Sequence, residues 1–228
     1  MPLRYLDGPQ QYKLYQWITV PIEKSTRDPR PESFKIDPER LECGDVVDTD
    51  KGTWRRRTEV VFRDPSWHFD NMEALKQAQR ATGRSIGMVK PGRIDDVRLV
   101  AKPKAEHAAF REKSRDLKAL KEADMFDPEY KKLAYLPNEI RLLWRCIEAC
   151  STCRRAPHAM NILDWGVLEL ARREGWDKAI ARMQAIADLS KKDFRLFLGT
   201  FRLHPQNFGI IGLWYPPLTP APDQLELL

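Results

Sequence analysis

The segment from Cys146 to His158 constrains the fold most strongly, because it holds three of the chain's four cysteines and one of its four histidines. Their spacing is C-x3-C-x2-C-x4-H. A tetrahedral zinc site uses four such ligands, and Cys150 and Cys153 form the close pair of a zinc knuckle. The sequence therefore predicts a Zn2+ site whose ligands are Cys146, Cys150, Cys153 and His158.

Two other interpretations of these cysteines stay open, because a second close pair further along the chain is missing. In the first, Cys146 is a core residue of a strand, the other cysteines are partly buried, and His158 caps a helix that begins near Asn161. In the second, Cys150 and Cys153 are a redox pair or supply a nucleophile. A redox pair would normally open a helix in a thioredoxin-like unit, whereas a proline follows here.

Composition places the chain among ordinary globular proteins. Hydrophobic residues make up 42% of its 228 residues, so a packed core is expected without disulfides. No apolar run is long enough to cross a membrane, and the opening MPLRYLDGPQ lacks a signal-peptide stretch. We expect a cytoplasmic protein with reduced thiols and no membrane association. The net charge of +6 is compatible with a polyanionic partner without requiring one.

The hydrophobic pattern predicts both strands and helices. Strands are predicted in YKLYQWITVPIEK, TWRRRTEVVFRD, SIGMVKPGRIDDVRLVAKPK, NEIRLLWRC, FRLFLGTF and FGIIGLWYPP. Helices are predicted in WHFDNMEALKQAQRATG, DWGVLELARREG and WDKAIARMQAIADL. Asp70 or Asn71 is expected to cap the first helix, Gly83 to follow its end, and Asp164 to cap the second helix. The loop segment RPES, at 30–33, is expected to pin two loops through an arginine–carboxylate pair.

This order of elements predicts an α+β fold in four parts. Residues 1–104 are β-rich and resemble a small barrel, for which an OB-like barrel is one candidate. Residues 105–138 are a helical connector, whose charged segment 106–125 is expected to dock a protein partner. Residues 139–217 form an α/β part with the zinc knuckle, and residues 218–228 are a Pro-rich tail.

Basic residues beside aromatic ones suggest that the chain binds nucleic acid. Phosphates are neutralised by arginine and lysine while bases stack on aromatic rings, which suits a single strand or a guide-type strand. The candidate contact residues are Trp54, Arg55, Arg56, Arg57, Lys90, Arg93, Lys102, Lys104, Arg154 and Arg155. The alternative is that the tryptophan is in the core and the arginines form a solvated strand edge. The choice between RNA and DNA stays open.

Three functional hypotheses follow. The leading one is a zinc-containing, nucleic-acid-binding subunit of a larger complex, such as a mobile-element or antiviral defence system. The second is a metal-dependent nuclease or nucleotide-processing enzyme with Asp48, Asp50 and Glu59 as ligands. The third is a structural subunit in which zinc supports a protein interface. Because the sequence has no Gly-rich phosphate loop, G-x-S-x-G or H-E-x-x-H motif, catalysis ranks below binding.

Four blocks spread along nearly the whole chain carry a resemblance to a protein family. They are RDPRPESFKI, RSIGMVKPGRI, the stretch from WRC to HAMNILDW, and FLGTFRLHPQNFGIIGLWYPP. Together they resemble successive blocks of a family of uncharacterised bacterial proteins, in which a cysteine pair and a Gly-His precede an Asp-Trp-Glu. This chain has Gly166 in place of the acidic residue, and 154–157 look like a small insertion before His158. The resemblance implies the site but no reaction.

Overall fold

A computed structural model describes residues 11–112, 135–148 and 150–218, and it shows an α+β protein. Its strands are β1 (Gln16–Thr19), β2 (Ile22–Lys24), β3 (Phe34–Ile36), β4 (Glu42–Val46), β5 (His68–Phe69), β6 (Ile86–Val89), β7 (Pro91–Ala101), β8 (Asn138–Cys146), β9 (His158–Asn161), β10 (Arg195–Phe201) and β11 (His204–Trp214). Its helices are α1 (Arg55–Val61), α2 (Met72–Thr82), α3 (Trp165–Glu174) and α4 (Trp176–Ile186), and residues 104–112 are also helical.

Two larger sheets form the centre of the molecule. One has the strand order β11-β10-β6-β5, and the other has the order β7-β8-β9. An isolated parallel bridge between Ile162, just after β9, and Ile210 of β11 joins them. The main-chain N–H of Leu163 donates a hydrogen bond to the Ile210 oxygen at 2.7 Å, which holds the two sheets side by side.

The predicted N-terminal barrel is wrong, because the described strands of this region do not close on one another. Strands β1 and β4 form one two-stranded ribbon, and β2 and β3 form another. The single strand predicted across 12–24 is interrupted at Pro21, which cannot donate a hydrogen bond to a ladder. The next strands instead pair with the C-terminal part of the chain, β6 with β10 and β7 with β8.

The predicted division into four parts stays a prediction. Strands β7 and β8 lie on either side of the predicted helical connector in the sequence, and they pair with each other in antiparallel orientation. Most of that connector, at 113–134, lies outside the described residues, and so does most of the docking segment 106–125. The tail beyond residue 218 lies outside them as well.

The segment that begins at Trp54 was predicted as a strand and is helix α1 instead. Trp54 has a φ of 62° and turns the chain into the helix, and it is only 8% exposed. In a helix, successive side chains point about 100° apart, so three consecutive arginines need not share a face. Arg57 packs inward, with its guanidinium 4.1 Å from the ring centroid of Tyr15, while Arg55 and Arg56 remain exposed.

An aromatic cluster attaches the N-terminal segment to the four-stranded sheet. The rings of Trp54 and Trp214 meet edge to face, with centroids 5.0 Å apart and an interplanar angle of 89°. Tyr15 and Phe62 also contact Trp214. Edge-to-face aromatic pairs add stability beyond the area they bury, so this cluster is a substantial link between the two regions.

The RPES loop is held against the four-stranded sheet. Its Arg30 and its Glu32 each bind residues outside the motif. Arg30 pairs with Asp28 and donates a hydrogen bond to the main-chain oxygen of Thr200 at 2.8 Å. The hydrogen bond from Arg30 holds the pKa of Asp28 well below its usual range. Glu32 accepts hydrogen bonds from both the N–H and the hydroxyl of Ser85, at 3.0 and 2.7 Å.

The predicted helix boundaries are confirmed around α2 and α3. Asn71 caps α2 by accepting hydrogen bonds from the N–H groups of Glu73 and Ala74, and Gly83 ends it with a φ of 75°. Asp164 caps α3 by accepting from the N–H of Val167 at 3.0 Å. No described helix is long and apolar enough to span a membrane.

Candidate metal centre

The antiparallel hairpin of β8 and β9 brings the four predicted zinc ligands together. Cys146 is the last residue of β8 and His158 the first of β9. Cys150 and Cys153 lie in the connection between them, residues 147–157, which we call the cysteine loop. The alternative in which His158 caps a helix beginning near Asn161 is wrong. His158 is instead the first residue of a strand. It lies opposite Trp144 on β8, and the two rings pack with centroids 4.8 Å apart.

The four potential ligand atoms converge on one point. The Sγ atoms of Cys146, Cys150 and Cys153 and a ring nitrogen of His158 all lie within 4.8 Å of one another. The Nε2 atom of His158 is 3.5, 3.3 and 3.1 Å from these three sulfurs in turn. The sulfurs of Cys146 and Cys150 are 3.9 Å apart. Among the described residues this is the only such group of three or more Cys, His, Asp or Glu side chains.

These separations match the edges of a zinc tetrahedron. With zinc–sulfur bonds of about 2.3 Å and zinc–nitrogen bonds of about 2.0 to 2.1 Å, tetrahedral geometry places sulfurs about 3.8 Å apart and sulfur about 3.6 Å from nitrogen. The observed sulfur–sulfur distance of 3.9 Å agrees with this value, and the sulfur–nitrogen distances of 3.1 to 3.5 Å are slightly shorter than the tetrahedral one. The donor set therefore fits a zinc ion, with small adjustments of the side chains.

Burial shapes the protonation of the ligands. All four are buried, with exposures between 4% and 6%. Burial raises the pKa of Cys146 to about 12. Burial also acts to raise the pKa of Cys150, but hydrogen bonds from the N–H and thiol of Cys153, the thiol of Cys146 and the N–H of Thr152 lower it overall. Burial, aided by the charges of Lys76 and Arg145, lowers the pKa of His158 to about 4, so the imidazole is neutral and able to ligate at neutral pH.

Main-chain N–H groups point at the sulfurs. The N–H of Met72, in the first turn of α2, donates to the Sγ of Cys146 at 3.4 Å. The N–H of Cys146 donates to the Sγ of Cys153 at 3.2 Å. Such donors stabilise thiolates, and hydrogen bonds to ligands tune and orient a metal site. Helix α2 thus contributes to the centre although none of its side chains is a ligand.

Two further contacts hold the cysteine loop in place. The guanidinium of Arg145 donates to the main-chain oxygen of Cys153 and also to Asp95 on β7, at 2.9 Å in the second case. On the other side, the N–H of Ser151 donates to the carboxylate of Glu73 at 3.1 Å. The loop is therefore tied to β7 and to α2.

Four protein ligands complete a tetrahedron, which is the pattern of structural zinc sites, whereas catalytic sites keep a position open.

The residues predicted to bind nucleic acid do not form a single surface. Trp54 is buried in the aromatic cluster, so it offers no ring on which a base can stack. Arg55 pairs with Asp50 at 3.1 Å, and Arg57 donates to the main-chain oxygen of Val47. Trp54 and Arg57 therefore serve the packing of α1, while Arg55 and Arg56 stay exposed on a helix rather than on a continuous basic strand.

The other candidates fall into three groups. Lys90 and Arg93 line one hollow near the start of β7. Lys102 and Lys104 lie past the far end of that strand, which at 3.3 Å per residue is about 30 Å away. Arg154 and Arg155 are exposed in the cysteine loop. The last group lies in the cysteine loop itself, and the first lies beside it, because Cys146 also lines the hollow of Lys90 and Arg93.

The carboxylates proposed for a nuclease site do not gather into a metal-binding group in the described structure. Asp48 accepts a hydrogen bond from the N–H of Asp50, and Asp50 pairs with Arg55. Glu59 is exposed on α1. The predicted nuclease site assumed that Glu59 lies on a strand next to the loop of Asp48 and Asp50. Glu59 lies on helix α1 instead, so this arrangement does not form.

Sequence reasoning missed several basic residues that the fold brings close to the centre. Lys76 and Arg80 come from α2, and they line a hollow together with Cys150, Ser151 and Thr152. Arg145 comes from β8, and Lys192 follows α4. Their spacing in sequence carries no signal, because α2 and the cysteine loop meet only through tertiary packing. The alternation of buried and exposed residues in NEIRLLWRC would have assigned Arg145 to the face opposite Cys146.

Fold and site together define an α+β protein with a buried Cys3His centre of the metal-binding type. Residues 68–227 match the domain of unknown function DUF8757, and residues 1–63 match the domain of unknown function DUF8758. The chain therefore belongs to the DUF8757 family, in agreement with the expected resemblance to uncharacterised proteins. No curated protein and no solved structure matches it. The aromatic cluster joins the two matched regions, since Trp54 lies in the first and Trp214 in the second.

Proposed function

We propose that the chain is a nucleic-acid-binding protein whose contact surface is held in shape by a structural zinc ion. The observation that carries the proposal is the convergence of three sulfurs and one imidazole, with basic side chains from three elements around them. The zinc would be held by Cys146, Cys150, Cys153 and His158. A bound zinc supplies rigid cross-linking of the loop and, with four protein ligands, no open position for chemistry.

Elemental analysis of the purified protein tests the metal. We expect about one zinc per chain, as for a single structural site. Cys150→Ser should reduce the zinc content strongly, whereas Cys43→Ser should leave it unchanged. Cys43 is the matched control because it is a free cysteine outside the cluster. Metal-free wild-type protein that folds normally, or equal loss in both variants, would contradict the zinc proposal.

The basic side chains around the cysteine loop support the nucleic-acid part of the proposal. Arg154 and Arg155 are exposed in the loop itself. Lys76 and Arg80 extend toward it from α2. On the same helix, the pKa of Glu73 is lowered by a hydrogen bond from the N–H of Ser151 and by the charges of Arg154 and Arg80. Cations that are fixed relative to one another can neutralise successive phosphates of a strand without first being ordered.

Fluorescence anisotropy with labelled single-stranded RNA and DNA at several salt concentrations tests this surface. Each phosphate contact with a single strand contributes about 0.7 to the slope of log affinity against log salt. Replacing Arg154 and Arg155 together by glutamine should weaken binding and lower the slope by about 1 to 1.4. The control is the same double change at Arg172 and Arg173, neighbouring arginines on α3 that pair with Glu169.

Equal losses in the two double variants would mean that only net charge matters and that the cysteine loop is not the contact surface. An affinity that stays constant between low and moderate salt would remove phosphate contacts altogether. Either result would leave the zinc measurement unaffected, because the two parts of the proposal are read out separately.

A protein partner is a second candidate, favoured by the apolar side chains on the N-terminal ribbons. Exposed examples are Leu14, Trp17, Ile22, Phe34 and Val46. Clustered exposed apolar residues often mark interaction sites. Sedimentation velocity across a range of protein concentrations, with Trp17→Glu as the variant, would detect self-association through these ribbons. A monomer at all concentrations would leave only a different protein as the partner.

A further inference from the structure

A basic hollow lies on the side of the cysteine loop that faces the start of β7. It has a volume of about 480 Å3, and its charged lining consists of Lys90, Arg93, Arg145 and Lys192. Within the part of the chain that the structure describes, no carboxylate belongs to its lining. The volume falls within the range of about 300 to 1,000 Å3 that is typical of sites for small ligands.

The hollow carries more positive charge than its own structure neutralises. Asp95 pairs with both Arg93 and Arg145, at 2.5 and 2.9 Å. Asp193 pairs with Lys90 at 2.7 Å, and it also pairs with Arg195 outside the hollow. Lys192 pairs with no carboxylate in the described part of the chain. Among the described residues, four positive side chains against two carboxylates leave an excess of two positive charges.

The strand pairing holds two of these cations close together. Arg93 and Arg145 are direct partners across the β7–β8 ladder, so their side chains leave the sheet on the same face. Like charges at directly opposite positions are destabilising, and here they share a single carboxylate. An anion bound between them would relieve that repulsion and gain hydrogen bonds from guanidinium groups.

A glycine in β7 lets the backbone beneath the hollow pack closely against the cysteine loop. The ladder shifts register between Pro91 and Arg93, at Gly92. A Cβ atom on Gly92 would lie 2.6 Å from the Cα of Ile147 and 3.0 Å from the main-chain oxygen of Cys146. Only glycine allows β7 to approach the metal ligand Cys146 so closely. The position of Arg93 is thus coupled to that of the cysteine loop.

The charge distribution favours the basic hollow over the neighbouring hollow as the site of an anionic ligand. The neighbouring hollow, which shares Lys90 and Ile147, is lined by Asp70 and Glu148 and so lacks the positive excess. On the basic side, Leu189, Leu218 and the exposed Ile147 provide apolar surface beside the cations. A ligand with a dianionic head and an organic remainder would satisfy both parts of the lining.

We propose that this hollow, which we call the phosphate pocket, binds a phosphate monoester through Lys90, Arg93, Arg145 and Lys192. A phosphate monoester carries about −1.5 to −2 charges at neutral pH, which matches the positive excess, whereas an internal phosphodiester carries only one charge. The 5′ phosphate at the end of a nucleic-acid strand is one source of this group. That assignment of the ligand rests on the proposed function, while the phosphate chemistry does not depend on it.

The experiment compares two oligonucleotides of the same sequence, one with a 5′ phosphate and one with a 5′ hydroxyl, and uses inorganic phosphate as a separate probe. We expect the 5′-phosphorylated strand to bind about tenfold more tightly, as for an added charged hydrogen-bonding group. Lys192→Gln and Arg93→Gln should abolish most of that preference and most of the binding of inorganic phosphate.

Each variant has a matched control that removes the same charge. Lys191 is the neighbour of Lys192, but it pairs with Asp188 and does not line the hollow. Arg98 lies on the same strand as Arg93 and pairs with Asp96 in the same way. Lys191→Gln and Arg98→Gln should retain the preference for the 5′ phosphate. Equal losses in variants and controls would overturn the proposal.

The outcomes separate this inference from the proposed function. If both oligonucleotides bind equally and inorganic phosphate does not bind, the pocket proposal is wrong and nucleic-acid binding stands. If inorganic phosphate binds through Lys192 and Arg93 but neither oligonucleotide does, the pocket stands and nucleic acid is the wrong partner. If none of the three probes binds, both proposals are wrong.

Discussion

The main-chain N–H of Met72 donates a hydrogen bond to the Sγ of Cys146, with an N···S distance of 3.4 Å. Met72 is the first residue of α2, and Cys146 is the last residue of β8, 74 positions further along the chain. The contact joins the metal centre to the start of a helix, where main-chain N–H groups have no partner within the helix. A charged thiolate is the natural acceptor for such a group, because the helix dipole favours negative charge there.

Removal of the metal should loosen the first turn of α2. Without zinc, protonation of Cys146 weakens its ability to accept the Met72 hydrogen bond, so the amides of the first turn should exchange faster with solvent. Hydrogen exchange followed by mass spectrometry, with and without a chelator, measures this change. Helix α4 donates no hydrogen bond to the ligand sulfurs in the described structure and is the internal control. Uniform acceleration over both helices would indicate global unfolding instead.

Zinc binding to the metal-free protein should release protons. Because burial raises the pKa of Cys146 to about 12, its thiol is protonated at neutral pH and must lose the proton to ligate. His158, with its pKa lowered to about 4, is already neutral and contributes none. Calorimetry in buffers of different ionisation enthalpy should therefore give about one proton or more per zinc. Zinc affinity should consequently fall as the pH falls, and a release well below one proton would argue against thiolate ligation.

Trp54→Ala should destabilise the protein strongly. The side chain is 8% exposed and packs against Trp214 and Tyr215, so its removal leaves a large cavity between the two matched regions. We expect a loss of about 3 to 5 kcal/mol in the free energy of unfolding, measured by denaturant titration. Trp17→Ala is the control, since Trp17 is 51% exposed and should cost less than about 1 kcal/mol. Similar losses in both variants would contradict the assignment of Trp54 to the core.

Gly92→Ala should also reduce stability, by about 1 to 3 kcal/mol, because the new methyl group would collide with main-chain atoms that cannot rotate away. One of them, the oxygen of Cys146, belongs to a proposed zinc ligand. Gly44→Ala is the matched control, because its nearest neighbour would be the Cβ of Trp17 at an ordinary 3.4 Å. Denaturant titration of the zinc-bound proteins compares the two. A neutral Gly92→Ala would mean that β7 can move away from the cysteine loop at little cost.

Prediction from the sequence succeeded where local signals decide the structure. The helix around 72–82 has an asparagine cap at one end and a left-handed glycine at the other, and both are read from neighbouring residues. Strands β8, β10 and β11 are dense in apolar and β-branched residues and were also predicted. The arginine run after Trp54 was predicted wrongly, because its helix depends on the burial of Trp54 and Val61 against Trp214, which lies far away in sequence.

The identity of the candidate ligands was determined by the sequence itself, because three cysteines and a histidine within thirteen residues can reach one point through a single turn of the chain. Their cross-strand placement, the N–H group from α2 and the guanidinium of Arg145 were decided only by the tertiary structure. The same holds for the phosphate pocket. Arg93, Arg145 and Lys192 are separated by dozens of residues, and only the pairing of β7 with β8 and the packing of the segment after α4 place their charges together.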